Sequence, residues 1–243
     1  MMMIENKHKQ IPPILFGIVS DLDGVLTDTE TLFINAINHL LVEEKMAELT
    51  FQESKLVVGL DNDSIWKKLN ELRGLNLSRD EYTRRVDFLA RDLFESNLKP
   101  IPGAVRFLEQ VKERSIPLGL ATSADRDRAD IRLNLLGVKD LFDVIITRDD
   151  VSNAKPSPEI YILAAKKLQL NPENCLAIED SLVGLSAAKN AGLFTVAVRT
   201  KWTEDEEFND ADLVVDKISD IELSQFQSDP QKKSSTLVFG GSK

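Results

Sequence analysis

The chain has 243 residues, of which 42% are hydrophobic and 29% charged, and a formal net charge of -10. That length supports one large domain, or a core domain with a smaller insert, and excludes disorder throughout; the negative balance excludes nucleic-acid binding through a general positive field, which needs clustered Lys and Arg. One cysteine, Cys175, excludes an internal disulfide, and with only two histidines beside it no Cys/His set exists for structural zinc.

The start, MMMIENKHKQ, is polar and lacks an apolar signal core. The run that follows to Val19 is interrupted by Pro12 and Pro13 and is too short to span a bilayer. A soluble, cytoplasmic protein with no membrane partner is expected. The first strand is predicted from Ile14 to Ser20. From roughly Glu30 to Leu98 apolar residues recur at helical spacing with many charges between them, so this stretch reads as continuous helix with no convincing strand.

After position 100 helical stretches alternate with short apolar runs, the pattern of a parallel sheet covered by helices. Pro102 and Gly103 open a helix to about Arg114. Strand Ile116 to Ala121, helix Arg126 to Leu136, strand Val144 to Thr147 and helix Pro158 to Leu168 follow. Strand Cys175 to Ile178, helix Leu182 to Ala191, strand Phe194 to Val198 and a last apolar run, Asp212 to Val215, complete the series. The fold class is therefore α/β, with a helical insert between the first and second strands, hinged at Thr27 to Glu30 and Ser96 to Pro100. Residues 1–29 and 99–223 form the core and 30–98 the insert; 224–243, rich in Ser, Gln, Lys and Gly, reads as a flexible tail. No internal repeat, GxGxxG turn or GxxxxGK[ST] loop supports a dinucleotide or P-loop reading.

In a parallel sheet, ligands gather outside the carboxyl ends of the strands, where strand order reverses. Such ends carry Asp21 and Asp23 after the first strand, Thr122 and Ser123 after the second, and Glu179 and Asp180 after the strand that begins at Cys175. Lys155 precedes a helix in NAKPSPEIY. Carboxylates converging on one crevice repel, and a hard divalent cation with oxygen ligands relieves the repulsion most simply; Mg2+ is the expected ion. A cation among carboxylates also attracts phosphate, whose remaining oxygens Lys155 and the Thr122 hydroxyl could hold. One aspartate can attack phosphorus while a second, one turn away, moves the proton. Gly24 permits the sharp bend this needs.

The segments SDLDGVLTDTE, LATSAD, AKPSPEIY and AIEDSLVGLSAAKNAG stand in this order along the chain. Together they resemble the haloacid dehalogenase superfamily, in the branch of small-molecule phosphatases and phosphomutases close to β-phosphoglucomutase, over about residues 14 to 220. The resemblance implies a Rossmann-like core in which the helical insert is a cap that closes over small substrates. It implies Asp21 as nucleophile, Asp23 as acid and base, and Thr122, Ser123 and Lys155 as phosphate-binding residues. Asp21, Asp180 and the Asp23 backbone carbonyl would ligate Mg2+, with Glu179 just outside them.

Other readings fare worse on the residues. An EF-hand counted from Asp21 needs an oxygen ligand at 25, glycine at 26 and glutamate at 32, where the chain has Val25, Leu26 and Leu32. Asp61-Asn62-Asp63-Ser64 reads as a helix-capping turn, and Glu179-Asp180-Ser181 can also cap a helix. His39, Phe33, Trp66 and Trp202 read as packing residues, Cys175 as inert, and Arg84, Arg85 and Arg91 as a solvated face. β-Phosphoglucomutases usually carry a histidine where this chain has Phe33 and an arginine in the cap loop that here reads VVGLDNDS. Hydrolysis of a sugar or polyol phosphate is therefore the expected activity, with a mutase as the alternative. A catalytically silent binder would lack Asp21, Asp23 or Asp180, and all three are present. A monomer is expected.

Overall fold

Neighbouring residues of the first strand bury on opposite faces of one sheet, and this alternation organises the molecule. The computed structural model describes residues 15–226; the polar start and the greater part of the expected tail lie outside them. In chain order the elements are β1 (Gly17–Ser20), α1 (Thr29–Glu43), α2 (Phe51–Lys55), α3 (Asn62–Arg73), α4 (Arg79–Asn97), α5 (Ala104–Glu113), β2 (Leu118–Ala121), α6 (Arg126–Leu136), β3 (Val144–Ile146), α7 (Glu159–Lys167), β4 (Cys175–Glu179), α8 (Leu182–Asn190), β5 (Phe194–Val198) and β6 (Leu213–Val215). The strands pair in the order β3-β2-β1-β4-β5-β6, each pair parallel.

Because side chains alternate across a strand, Ile18, Leu118, Leu120, Leu176 and Ile178 pack with α5 and α6 on one face. Val19, Ala121, Cys175 and Ala177 pack with α7 and α8 on the other. The strands are apolar almost throughout because both faces are covered. Burial also pushes the Cys175 thiol up to about 12, so it is no nucleophile. The strand read from Ile116 begins at Leu118 in the structure; Pro117 has no N–H to give, and its carbonyl accepts from Ile18.

The stretch from Glu30 to Leu98 is not one continuous helix. It is four helices, separated where the sequence carries stop and start residues. Lys45 and Gly59 have positive φ, and Gly74 closes α3 in the left-handed conformation at φ 65°. Thr50 caps α2 reciprocally with Glu53, Asp61 caps α3 and Ser78 caps α4. Helical spacing persists across such breaks, which is why the apolar pattern alone concealed them. Ile37, Leu40, Leu41, Ile65, Leu69, Tyr82 and Val86 form a cluster separate from those of the sheet. Arg85 ties α4 to α1 through Glu43 at 2.8 Å and Glu44 at 2.6 Å, a structural use of a residue read as solvated, while Arg84 and Arg91 are exposed.

The two strands of chain that join the helices to the sheet run side by side. Thr27 bridges Pro100, its hydroxyl donates to the Lys99 carbonyl at 2.9 Å, and the Ile101 N–H donates to the Leu26 carbonyl. A second contact lies at α2, where Phe51 stacks on Trp202 and Lys55 pairs with Asp205. Among the described residues no helix is long and apolar enough to cross a membrane.

Leu120 is fully buried in β2 and faces α5 and α6. Leu120→Ala removes its contacts and leaves a cavity, a loss of about 2–5 kcal/mol. Thermal melting should fall by about 5–15 °C; an unchanged melting temperature would contradict the packing described.

Candidate active site

The strand register builds the site. Ser20 lies level with Leu120 of β2 and Ile178 of β4, so the residues just beyond meet at one edge of the sheet, beside the β1/β4 point where strand order reverses. Asp21 leaves β1 buried, its N–H held by the Ile178 carbonyl at 2.9 Å. Thr122 follows β2 and is buried; Glu179 ends β4 and is buried, with Asp180 next to it.

Lys155, on the loop between β3 and α7, reaches into this crevice. Its ammonium donates to Asp21 Oδ1 at 2.7 Å, Glu179 Oε1 at 2.6 Å and the Ala121 carbonyl at 2.9 Å. Burial works against a charged lysine, but the facing charges of Asp21 and Glu179 outweigh it and the net shift is upward. Glu179 is fixed from several sides: the Tyr161 hydroxyl donates to Oε1 at 2.6 Å, and the Ser181 hydroxyl and the Asp180 N–H donate to Oε2 at 3.1 and 3.2 Å.

Two glycines make the close approach possible. A Cβ on Gly24, which has φ +79°, would lie 1.7 Å from Asp180 Oδ2, and one on Gly184 in α8 would lie 1.9 Å from Glu179 Oε1. Either side chain would displace a carboxylate. Ser181 caps α8 by accepting from the Gly184 N–H, so this turn both starts the helix and positions the acids.

Asp21, Glu179 and Asp180 each present a carboxylate oxygen within 4.8 Å of the others. Among the described residues, the Lys155 ammonium is the one that pairs with these acids. Burial is the main force that raises Asp21 to about 7, opposed by Lys155 and reinforced by Glu179 and Asp23. Burial, then Glu179, Asp21 and Asp23, push Asp180 well above the usual carboxylate range. An all-oxygen donor set with excess negative charge fits a hard metal ion rather than a soft one.

The Asp23 side chain faces elsewhere. Its Oδ1 accepts from the Thr29 hydroxyl at 2.8 Å, and Arg132 Nη1 donates to Oδ1 at 2.8 Å and Oδ2 at 2.6 Å. Thr122 Oγ1 accepts from the Ala124 N–H at 3.1 Å, next to the carbonyl that Lys155 grips; Ser123 is exposed. The sequence reading gives no site role to Tyr161 or Arg132, and places Thr29 and Glu30 only in the first motif and its hinge. Tyr161 ends the segment AKPSPEIY with no role of its own assigned, and Arg132 stands in the charged run RDRADIR. Its one signal is the spacing of three from Ala129, which places it at the border of the buried face. Burial and, after it, the Asp23 charge raise the Glu30 carboxyl.

Asp180 is raised in the fold above its ordinary 3.8, so the fold favours its protonated form. Its burial is harmless below about pH 4 and destabilising as pH rises through the folded value. In a chelator, Asp180→Asn should therefore raise the melting temperature at pH 7.5 and give no gain near pH 4. A lower melting temperature at both pH values would contradict the charge balance described.

The haloacid dehalogenase-like hydrolase family model matches residues 18–198. The phosphorylated carbohydrates phosphatase of Thermotoga maritima is 35% identical over 177 residues, 73% of this chain and 82% of that protein. The β-phosphoglucomutase of Bacillus subtilis is 32% identical over 219 residues, 85% of this chain and 92% of that one. The crystal structure of CbbY from Rhodobacter sphaeroides in complex with phosphate superposes with a TM-score of 0.70 at 28% identity, covering 87% of this chain and 99% of that one. With that match across the sheet and its acidic crevice, the chain belongs to the haloacid dehalogenase-like hydrolases.

Proposed function

We propose that the protein is a Mg2+-dependent phosphatase that hydrolyses a small phosphorylated metabolite, a sugar or polyol phosphate, through a phosphorylated Asp21. The observation that carries this reading is the buried set of Lys155 against Asp21 and Glu179, with Asp180 alongside, at the switch point of a parallel sheet. Relatives named as a phosphatase and a phosphomutase support phosphoryl transfer on phosphorylated small molecules as the activity class.

Asp21 and Asp180, with the Asp23 backbone carbonyl, would hold the Mg2+, and Glu179 would orient them from just outside. When bound, the ion supplies charge neutralisation at the phosphoryl oxygens. Lys155 and the Thr122 hydroxyl hold the transferring group, with Ser123 at the exposed rim. An Asp21 oxygen forms the new bond to phosphorus as the bond to the leaving oxygen breaks, and Asp23 gives that oxygen its proton. Asp23 then takes a proton from water as water attacks phosphorus and restores Asp21. Residues 30–98 act as the cap that excludes bulk water during these steps. The protein acts as a monomer in the cytoplasm.

Hydrolysis is preferred to mutase action because Phe33 packs with the helical cluster where a histidine would serve a mutase, and the stretch 57–64, which leads into α3, carries no arginine for a second phosphate. Phosphate release from a panel of sugar phosphates should need a divalent cation, and Asp21→Asn should abolish it. Asp23→Asn should slow it by about 10²–10⁴-fold. Glucose 6-phosphate accumulating from β-glucose 1-phosphate, with little free phosphate, would overturn the phosphatase reading.

A further inference from the structure

Asp23 is the proposed proton-transfer group, yet its carboxylate is 29% exposed and follows Asp21 by two residues in a tight turn. That carboxylate is held by two donors. Thr29 takes Oδ1, and Arg132 spans both oxygens from α6. Arg132 is itself well placed to act as a fixed point. Its side chain is only 13% exposed, it stands one residue before the buried Leu133 of α6, and its guanidinium lies over the Phe94 ring with the carbon 5.1 Å from the ring centroid. Phe94 belongs to α4, in the helical insert. A planar guanidinium can meet a carboxylate and an aromatic face at once, which lysine does less well.

We infer that Arg132 is a positioning residue: it keeps the Asp23 carboxylate apart from Asp21, Glu179 and Asp180 and on the side of the leaving oxygen, and it ties that placement to the insert through Phe94. This rests on the phosphatase reading and adds to it a residue that acts only through Asp23. Misplacement of a reacting group by about 1 Å can cost about 10²-fold.

The test uses leaving-group dependence. An alkyl phosphate needs its leaving oxygen protonated, whereas an aryl phosphate releases a stable phenolate and depends less on the acid. Arg132→Gln should lower kcat/KM for an alkyl phosphate by about 10–100-fold, and at least fivefold less for 4-nitrophenyl phosphate. Arg132→Lys should recover part of the loss, and Phe94→Leu should show a smaller loss with the same leaving-group bias. In an Asp23→Asn background, Arg132→Gln should add nothing further. Equal losses on both esters with a lowered melting temperature would make Arg132 merely structural and overturn the inference. So would a raised KM with unchanged kcat, an increase in turnover, or a full additional loss in the Asp23→Asn background. A wild-type protein that hydrolyses neither ester would remove the phosphatase reading and this inference with it, an outcome distinct from equal losses in the variant.

Discussion

A single buried ammonium holds the site together. Lys155 contacts carboxylates from the ends of β1 and β4 and the last carbonyl of β2, so three adjacent strands converge on one cation. A charge removed from water is tolerable only when paired and hydrogen-bonded, and loss of one partner leaves the other stranded. The lysine therefore cannot be spared without disturbing the arrangement of the acids. Yet its one charge does not balance three carboxylates, and burial first, with the neighbouring acids second, shifts Asp21 and Asp180 upward. The fold concentrates negative charge that it does not itself neutralise, a destabilisation that makes sense where a cation and a phosphate are to bind.

The two aspartates of the DLDG turn occupy different surroundings despite their closeness in sequence. Asp21 is buried, faces Lys155 and lies with Glu179 and Asp180. Asp23 is more open and faces Arg132 and Thr29. Attack on phosphorus and proton transfer to a leaving oxygen occur on opposite sides of the reacting atom, so two carboxylates directed apart from one turn suit the proposed chemistry. Gly24 permits the turn, and its missing Cβ leaves the space that Asp180 fills.

Much of this was legible in the sequence because the elements concerned obey local rules. Strand ends could be read from apolar runs that stop at polar residues, and Asp21, Thr122, Glu179 and Asp180 all lie at such ends. Lys155 was marked by its motif. What stayed hidden depended on contacts across long sequence separations. Arg132 meets Asp23 across 109 positions, and Tyr161 meets Glu179 through a hydroxyl that no apolar pattern reveals. The four-helix division of the insert was obscured for another reason: breaks at Lys45, Gly59 and Gly74 interrupt the backbone while the helical spacing of apolar residues continues across them.

The central claim is that Asp21 becomes covalently phosphorylated. Rapid acid quenching during turnover, followed by mass spectrometry of the peptides, tests it most directly. The account predicts one phosphoryl group on the peptide that bears Asp21, formed early in the reaction and lost as substrate is exhausted. Efficient turnover with that peptide unmodified at every time point, or with the phosphoryl group on another residue, would contradict it.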